Sequence, residues 1–267
     1  MSPTVTDDLG TPMPVSAEPQ RIVSLVPSIS ETLWWFHLAD RVVGVTDWCV
    51  APPNAFDHAV RVRGTKNPDV AAIIDLRPDL VVANREENRE IDVRRLREAG
   101  VAVYVTAPDG VAGAAASLQG LGEAVGAAAA GRGLAQTIER ALTRLPRERR
   151  TLRAFCPIWR DPWLAVGTAT YAGDLLAQAG FEVVPEEPRY PEVALDDVAA
   201  LDPDVVLLPD EPYAFGEEDR RPFESWRARV RRIDGTALTW WGPRTPHALA
   251  DLARLARSLR RRVPAAQ

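Results

Sequence analysis

Apolar residues fall along the chain in short runs rather than long stripes. Arg21–Val26, Arg41–Thr46, Val101–Val105, Leu152–Cys156, Phe181–Val184 and Ile233–Leu238 are rich in Val, Leu and Ile and bounded by Gly, Pro or Asp. Runs of this kind suit strands of a parallel sheet covered on both faces. Between them the pattern is helical, from about Ser30 to Leu38, from Ile91 to Ala99, from Tyr171 towards Gly180, from Leu195 to Leu201 and from Pro246 to Arg261. Ser28 or Ser30 is placed to cap the first helix, with Glu31 in its first turn. Strand and helix in alternation predict parallel sheets.

One stretch breaks the alternation. Val111–Arg150 is alanine-rich and strand-free, with Leu134, Ile138, Leu142 and Leu145 forming a helical stripe that Gly131 and Gly133 weaken. A helix of about 20 residues spans about 30 Å, enough for a stiff connector. The chain therefore divides into a flexible lead-in (1–20), an N-terminal α/β lobe (21–110), a helical connector (111–150) and a C-terminal α/β lobe (151–267). The expected fold class is α/β, with two Rossmann-like lobes joined by a long backbone helix and a ligand cleft between them.

A repeat underlies the two lobes. IIDLRPDLVVANREE, from Ile73, is echoed by VAALDPDVVLLPDEP, from Val198. Leu76 falls on Leu201, Pro78 on Pro203, Asp79 on Asp204, Val81 on Val206 and Glu86 on Glu211. Each copy reads as a helix end, a proline stop, a buried strand and a polar loop. Ligands of open parallel sheets sit beyond the carboxyl ends of the strands. The loops Ala83–Asn88 and Pro209–Phe215 are thus the places to look for function.

Composition narrows the chemistry. A net charge of -5 argues against a nucleic-acid partner. Cys49 and Cys156 make neither a disulfide framework nor a zinc spacing, and His37, His58 and His247 share no element at ligand spacing. There is no phosphate-cradling glycine loop and no nucleophile elbow. The first residues lack a basic start followed by an apolar run, and no stretch is long and apolar enough to span a membrane. The sequence as written points to the cytoplasm; a native signal preceding Met1 would place the protein in the periplasm or at the cell surface.

The tryptophans carry the main functional signal. Trp48, Trp159, Trp163, Trp240 and Trp241 lie in loops that follow strands, whereas Trp34 and Trp35 read as core and Trp226 as a surface anchor. Aromatics in such loops suit a large, flat, partly apolar ligand, or else packing between lobes. Asn84, Arg85, Glu86, Asn88, Arg160, Tyr171, Arg189, Tyr190, Asp210, Glu211, Tyr213 and Arg244 share those loops or border them. An arginine there grips a carboxylate or phosphate, or pairs with a neighbouring acid. Glu86 and Glu211 suit an acid–base pair in an enzyme, or a grip on hydroxyls or a cation in a binding protein.

RIVSLVPSISETL, GVTDW, PDVAAIIDLRPDLVV, REAGVAVYV, AVGTATYAGDLLAQAGFEVV and YPEVALDDVAALDPDVVLL occur in that order. Together they resemble the helical-backbone periplasmic-binding-protein family, which carries cobalamin, haem and ferric siderophores. The likeness covers nearly all of Arg21–Arg261 and is nearest to the cobalamin receptors. IWRDPWLAVGTATY, RYPEV, LLPDEPYAF and TWWGPR resemble a subgroup labelled cobalamin-binding or helical-backbone metal receptor. The resemblance implies a monomeric, non-enzymatic protein without a cofactor, which holds a corrinoid or related metal chelate as ligand through Trp, Tyr and Arg. Its alternatives are an exported receptor for a ferric siderophore or haem, and a carboxylate-pair enzyme using Glu86 and Glu211. Family receptors dock on an ABC permease through one acid on each lobe. The second falls at about Asp196, but the first falls on Ala71, with Asp69 nearby, so a permease would lack one of its two contacts.

Overall fold

The computed structural model describes residues 4–146 and 150–260. These fall into two compact units. One holds the residues up to Pro108 with Ala112–Thr137, and the other holds Asp109–Val111 and the residues from Ile138 on.

The first unit opens with a hairpin of β1 (Thr4–Thr6) and β2 (Pro12–Pro14). Next come β3 (Ile22–Ser24), α1 (Pro27–Trp35), β4 (Val42–Val45) and β5 (Val60–Arg61), then the short pair β6 (Arg63–Gly64) and β7 (Asn67–Pro68). After them run α2 (Val70–Asp75), β8 (Leu80–Asn84), α3 (Glu90–Glu98), β9 (Val103–Thr106), α4 (Val111–Ala124), which belongs to this unit from Ala112, and α5 (Ala128–Arg144), which belongs to it as far as Thr137 and to the second unit beyond. Five strands form one parallel sheet in the order β5-β4-β3-β8-β9. Every residue of β8 and β9 is buried, because helices cover both faces. Val23, Leu25, Val81, Ala83, Val103 and Val105 pack with Ile73 of α2 and with Val93 and Leu96 of α3.

The second unit repeats the plan. Its elements are β10 (Leu152–Phe155), the hairpin β11 (Pro157–Trp159) with β12 (Leu164–Ala165), α6 (Tyr171–Gln178), β13 (Phe181–Val183) and α7 (Leu195–Ala200). β14 (Val205–Pro209), β15 (Arg229–Ile233), α8 (Gly235–Thr239) and α9 (Thr245–Arg260) complete it. The parallel sheet runs β13-β10-β14-β15. The repeat read from sequence is α2–β8 in one unit and α7–β14 in the other.

Four local expectations need correction. Residues 4–14 are not a loose lead-in. Asp7 is buried, accepts hydrogen bonds from the N–H groups of Leu9 (3.0 Å) and Thr11 (2.8 Å), and pairs with Arg97 at 2.8 Å. The first helix begins at Pro27, whose fixed φ suits the first turn, and neither serine caps it. Ser30 instead lies inside the helix and donates to Ser24 Oγ at 2.8 Å. The connector is two helices, separated at Gly126 (φ +73°), where a Cβ would lie 2.7 Å from the Ala17 carbonyl. The last strand is Arg229–Ile233, not Ile233–Leu238. Asp234 accepts from the Ala237 N–H at 3.1 Å and starts a helix where the apolar residues had suggested a strand. Positions 1–3, 147–149 and 261–267 of the lead-in, the connector and the C-terminal lobe lie outside the described residues.

Candidate functional site

In the first unit the chain leaves β3 towards β4 and β5, then returns to β8 on the other side of β3. The carboxyl ends of β3 and β8 therefore flank the switch point, where a ligand meets loops rather than a crossover helix. The loop after β8 is built by two asparagines. Asn84 Oδ1 accepts the N–H groups of Glu86 (2.8 Å) and Glu87 (3.3 Å), while its Nδ2 donates to Thr106 Oγ1 (3.1 Å). Asn88 Oδ1 accepts the Asn84 N–H at 2.9 Å, and Asn88 Nδ2 donates to the carbonyls of Leu25 and Thr65. Lys66 Nζ closes the set by donating to the Glu86 carbonyl.

Asn84 is thus buried and occupied in shaping the loop, rather than open to a ligand as its position in the sequence suggested. Arg85 is exposed, with its Nε 3.5 Å from Glu86 Oε1. Glu87, unmarked in the sequence except as the neighbour of Glu86, is held mostly out of water. Burial pushes its carboxyl above the usual carboxylate range, against the pull of Lys66 and a hydrogen bond from Thr65. Trp48 is 63% exposed in the loop after β4. Below it the Cys49 thiol is buried, hydrogen-bonded with Ser30 (3.0 Å) and Thr46 (3.1 Å), and raised in pKa by that burial.

In the second unit the switch point lies between β10 and β14. The hairpin β11–β12 and the loop after β14 meet there through aromatic rings. Trp163 stacks on Phe215, with centroids 5.9 Å apart and planes 7° from parallel. Phe215 packs on Tyr213 at 4.6 Å, and Tyr213 meets Trp159 edge-on at 5.7 Å. Trp159 remains 44% exposed at the end of this series. Phe155, Phe223 and Trp226 support it from beneath, so Trp226 packs into the unit rather than anchoring a surface.

The polar groups here are engaged. Arg160 Nη1 donates to Asp219 Oδ1 at 2.5 Å, its Nε lies 3.6 Å from Asp161, and its guanidinium lies over the Trp163 ring at 5.8 Å. Asp219 is buried and also accepts the Gly216 N–H; its distance in sequence from Arg160 left no signal of the pair. Arg189 is exposed at φ +68°, lying over Tyr190 at 5.9 Å. Arg244 lies over Trp240 at 4.8 Å and donates to Thr236 Oγ1 at 2.6 Å. Glu211 is partly buried, with its backbone pressed against Gly235.

Three expected contact residues are interior. Tyr171 is buried and its hydroxyl shares a 2.8 Å hydrogen bond with Thr245 Oγ1, joining α6 to the start of α9. Trp240 and Trp241 are only 8% and 5% exposed. Trp34 and Trp35 err the other way, standing exposed on α1 where a core position was expected.

The family description "periplasmic binding protein" matches residues 22–221. The chain belongs to the periplasmic-binding-protein family. Two sequence relatives bear on this periplasmic binding protein. An uncharacterised ABC transporter substrate-binding lipoprotein of Bacillus subtilis, YvrC, is 26% identical over 94% of this chain and 84% of its own length. A cobalamin-binding protein of Halobacterium salinarum is 29% identical over 76% of this chain, a match that spans 58% of that relative. Two solved structures share the fold at TM-score 0.79. The periplasmic vitamin B12 binding protein BtuF of Vibrio cholerae is 21% identical and aligned over 91% of this chain and 99% of its own. The periplasmic haem-binding protein RhuT of Roseiflexus is 23% identical and aligned over 90% and 98%.

Within this periplasmic binding protein, Ala71 is exposed in the first turn of α2, and Asp69 caps that helix by accepting the Ala72 N–H at 3.1 Å. Asp196 and Asp197 are exposed in the first turn of α7. Among the described residues, no His, Cys, Asp and Glu side chains gather into a metal site, and no helix is long and apolar enough to cross a membrane.

Proposed function

We propose that this periplasmic binding protein carries a corrinoid, or a closely related amide-bearing metal chelate, for an ABC transporter. The reading rests on the platform of Trp159 and Tyr213 together with the engagement of the cations around the two switch points. Arg160 is taken by Asp219, Arg85 lies beside Glu86, Lys66 holds the Glu86 carbonyl and Arg244 lies on Trp240. A ligand with exposed carboxylates needs arginines whose charge is available, and pulling Arg160 away would leave the buried Asp219 unpaired. A corrinoid presents a broad apolar face edged by neutral amides, which ask for ring contact and single hydrogen bonds instead.

The cobalamin-binding relative supports this ligand class, and the B. subtilis substrate-binding lipoprotein supports service to a transporter. Such service puts the protein on the outer side of the cytoplasmic membrane rather than in the cytoplasm. The test is titration with aquocobalamin, cobinamide and haem while tryptophan fluorescence is followed. Saturable quenching by a corrinoid is expected. Saturation by haem alone would overturn the corrinoid reading in favour of a haem carrier.

A further inference from the structure

We infer that the N-terminal hairpin is a strap that sets the shape of the loop after β8, with Asp8 as its positioning residue. This rests on the reading above, in which that loop faces the ligand. The turn between β1 and β2 is docked on the end of β9. The Asp8 N–H donates to the Val105 carbonyl at 3.1 Å, and Asp8 Oδ2 accepts the Ala107 N–H at 2.8 Å and the Ser117 hydroxyl from α4. Asp7, paired with Arg97, accepts the Val105 N–H at 3.4 Å. The backbone is therefore gripped on both sides of Thr106.

Thr106 passes the constraint on. Its Oγ1 donates to the Ala83 carbonyl (3.0 Å) and accepts from Asn84 Nδ2 (3.1 Å), and its carbonyl accepts the Arg85 N–H (2.9 Å). Asn84 Oδ1 then fixes the N–H groups of Glu86 and Glu87. The path from the hairpin to the loop runs by hydrogen bonds to the two neighbours of Thr106, through the backbone to Thr106 itself, and by hydrogen bonds from Thr106 to Asn84 and on to Glu86 and Glu87. Loosening its first link releases the last without emptying the core.

The experiment compares amide hydrogen exchange in the ligand-free wild type and in Asp8→Ala. The strap predicts about fivefold faster exchange at Glu86 and Glu87, with the amides of α1 unchanged. It also predicts about fivefold weaker binding of aquocobalamin. Unchanged exchange at Glu86 and Glu87 overturns the strap whatever the ligand, and so does a uniform rise across the unit, which marks general destabilisation. Faster exchange with unaltered aquocobalamin affinity overturns the link to binding. Should Asp8→Ala not fold, Asp8→Asn keeps one acceptor oxygen and is expected to give about a twofold rise, and no rise again refutes the strap. Failure of the wild type to bind any corrinoid would refute the functional reading separately, leaving the exchange measurement to decide the strap.

Discussion

Arg21 and Asp79 hold one another through backbone and side chain together. Asp79 Oδ2 accepts the Arg21 N–H at 2.9 Å and the Gln20 N–H at 2.8 Å, while the Asp79 N–H donates to the Arg21 carbonyl at 2.8 Å. The Arg21 guanidinium reaches the Leu76 carbonyl at the end of α2. Arg153 and Asp204 do the same in the second unit, with 2.9 and 2.8 Å for the two backbone bonds and the Leu201 carbonyl in place of Leu76. A carbonyl that the helix end leaves unsatisfied is thereby paired, and β3 is pinned beside β8 as β10 is beside β14.

Removing these acceptors separates their weights. Asp79 holds two backbone N–H groups and Asp204 one, so Asp79→Ala is expected to lower stability by about 1–2 kcal/mol and Asp204→Ala by about 0.5–1 kcal/mol. Both side chains are within reach of water, which keeps the losses at the lower end. Urea midpoints at constant m-value measure the order. A larger loss for Asp204→Ala would contradict the accounting.

The repeat was the most legible part of the sequence, because its register is carried by backbone roles. Arg77 and Asp202 match in the alignment and share nearly the same left-handed φ, +46° and +47°. Buried strands were legible for the same reason, since two covered faces demand an unbroken apolar run. β15 was not. It is the edge of its sheet and carries Arg229, Arg231 and Arg232, which need no second neighbour and stay near water. The hairpin at the N-terminus was missed because its stability comes from Asp7 and Asp8 bonding to residues far along the chain, which leaves no local period. Loop position singled out Trp159, Trp163 and Tyr213, which the fold brings into one series of packed rings with Phe215. It could not separate a tryptophan facing water from the buried Trp240 and Trp241, since both kinds follow a strand or helix in the same polar setting.

That difference gives a prediction about the tryptophans. Trp159 is half exposed, and Trp159→Ala is expected to cost under about 1 kcal/mol of stability while weakening aquocobalamin about tenfold or more. Trp241 is interior, and Trp241→Ala is expected to cost about 3–5 kcal/mol through the cavity it leaves. Denaturation and fluorescence titration on the two single variants check both. Full affinity in a well-folded Trp159→Ala protein would remove the platform from the site.

Stability should fall at alkaline pH. Burial raises the pKa of Cys156 from its ordinary value of 9.0, and that of Tyr171 from 10.0 despite its bond to Thr245. Tyr104 is raised in the same way, by burial and then by Asp8. The unfolded chain therefore releases these protons first. The stabilisation is complete below the ordinary pKa values and is lost as pH climbs past about 9 for the thiol and about 10 for the phenols, at up to about 1.4 kcal/mol per pH unit for each group. Tyr171→Phe should cost about 0.5–1.5 kcal/mol at pH 7 and flatten the decline above pH 10. Urea titrations across that range, reversible at each point, measure the slope, and an equal slope in both proteins would refute the assignment.

Two glycines of α5 should respond in opposite directions. At Gly131 a Cβ would lie 2.5 Å from the Leu118 carbonyl and 3.1 Å from Gly122 Cα, so α4 and α5 approach there as only glycine permits. Gly131→Ala is expected to push the helices apart and cost about 1–3 kcal/mol. At Gly133 nothing lies within 4 Å of the same position, and the backbone is helical. Gly133→Ala then acts mainly by reducing the freedom of the unfolded chain, and should stabilise by about 0.5–1 kcal/mol. Thermal denaturation of the two variants beside the wild type reads both signs. Destabilisation by Gly133→Ala would mean that the helix face at this position is packed against something, and stabilisation by Gly131→Ala would mean that the two helices are not in close contact at Gly122.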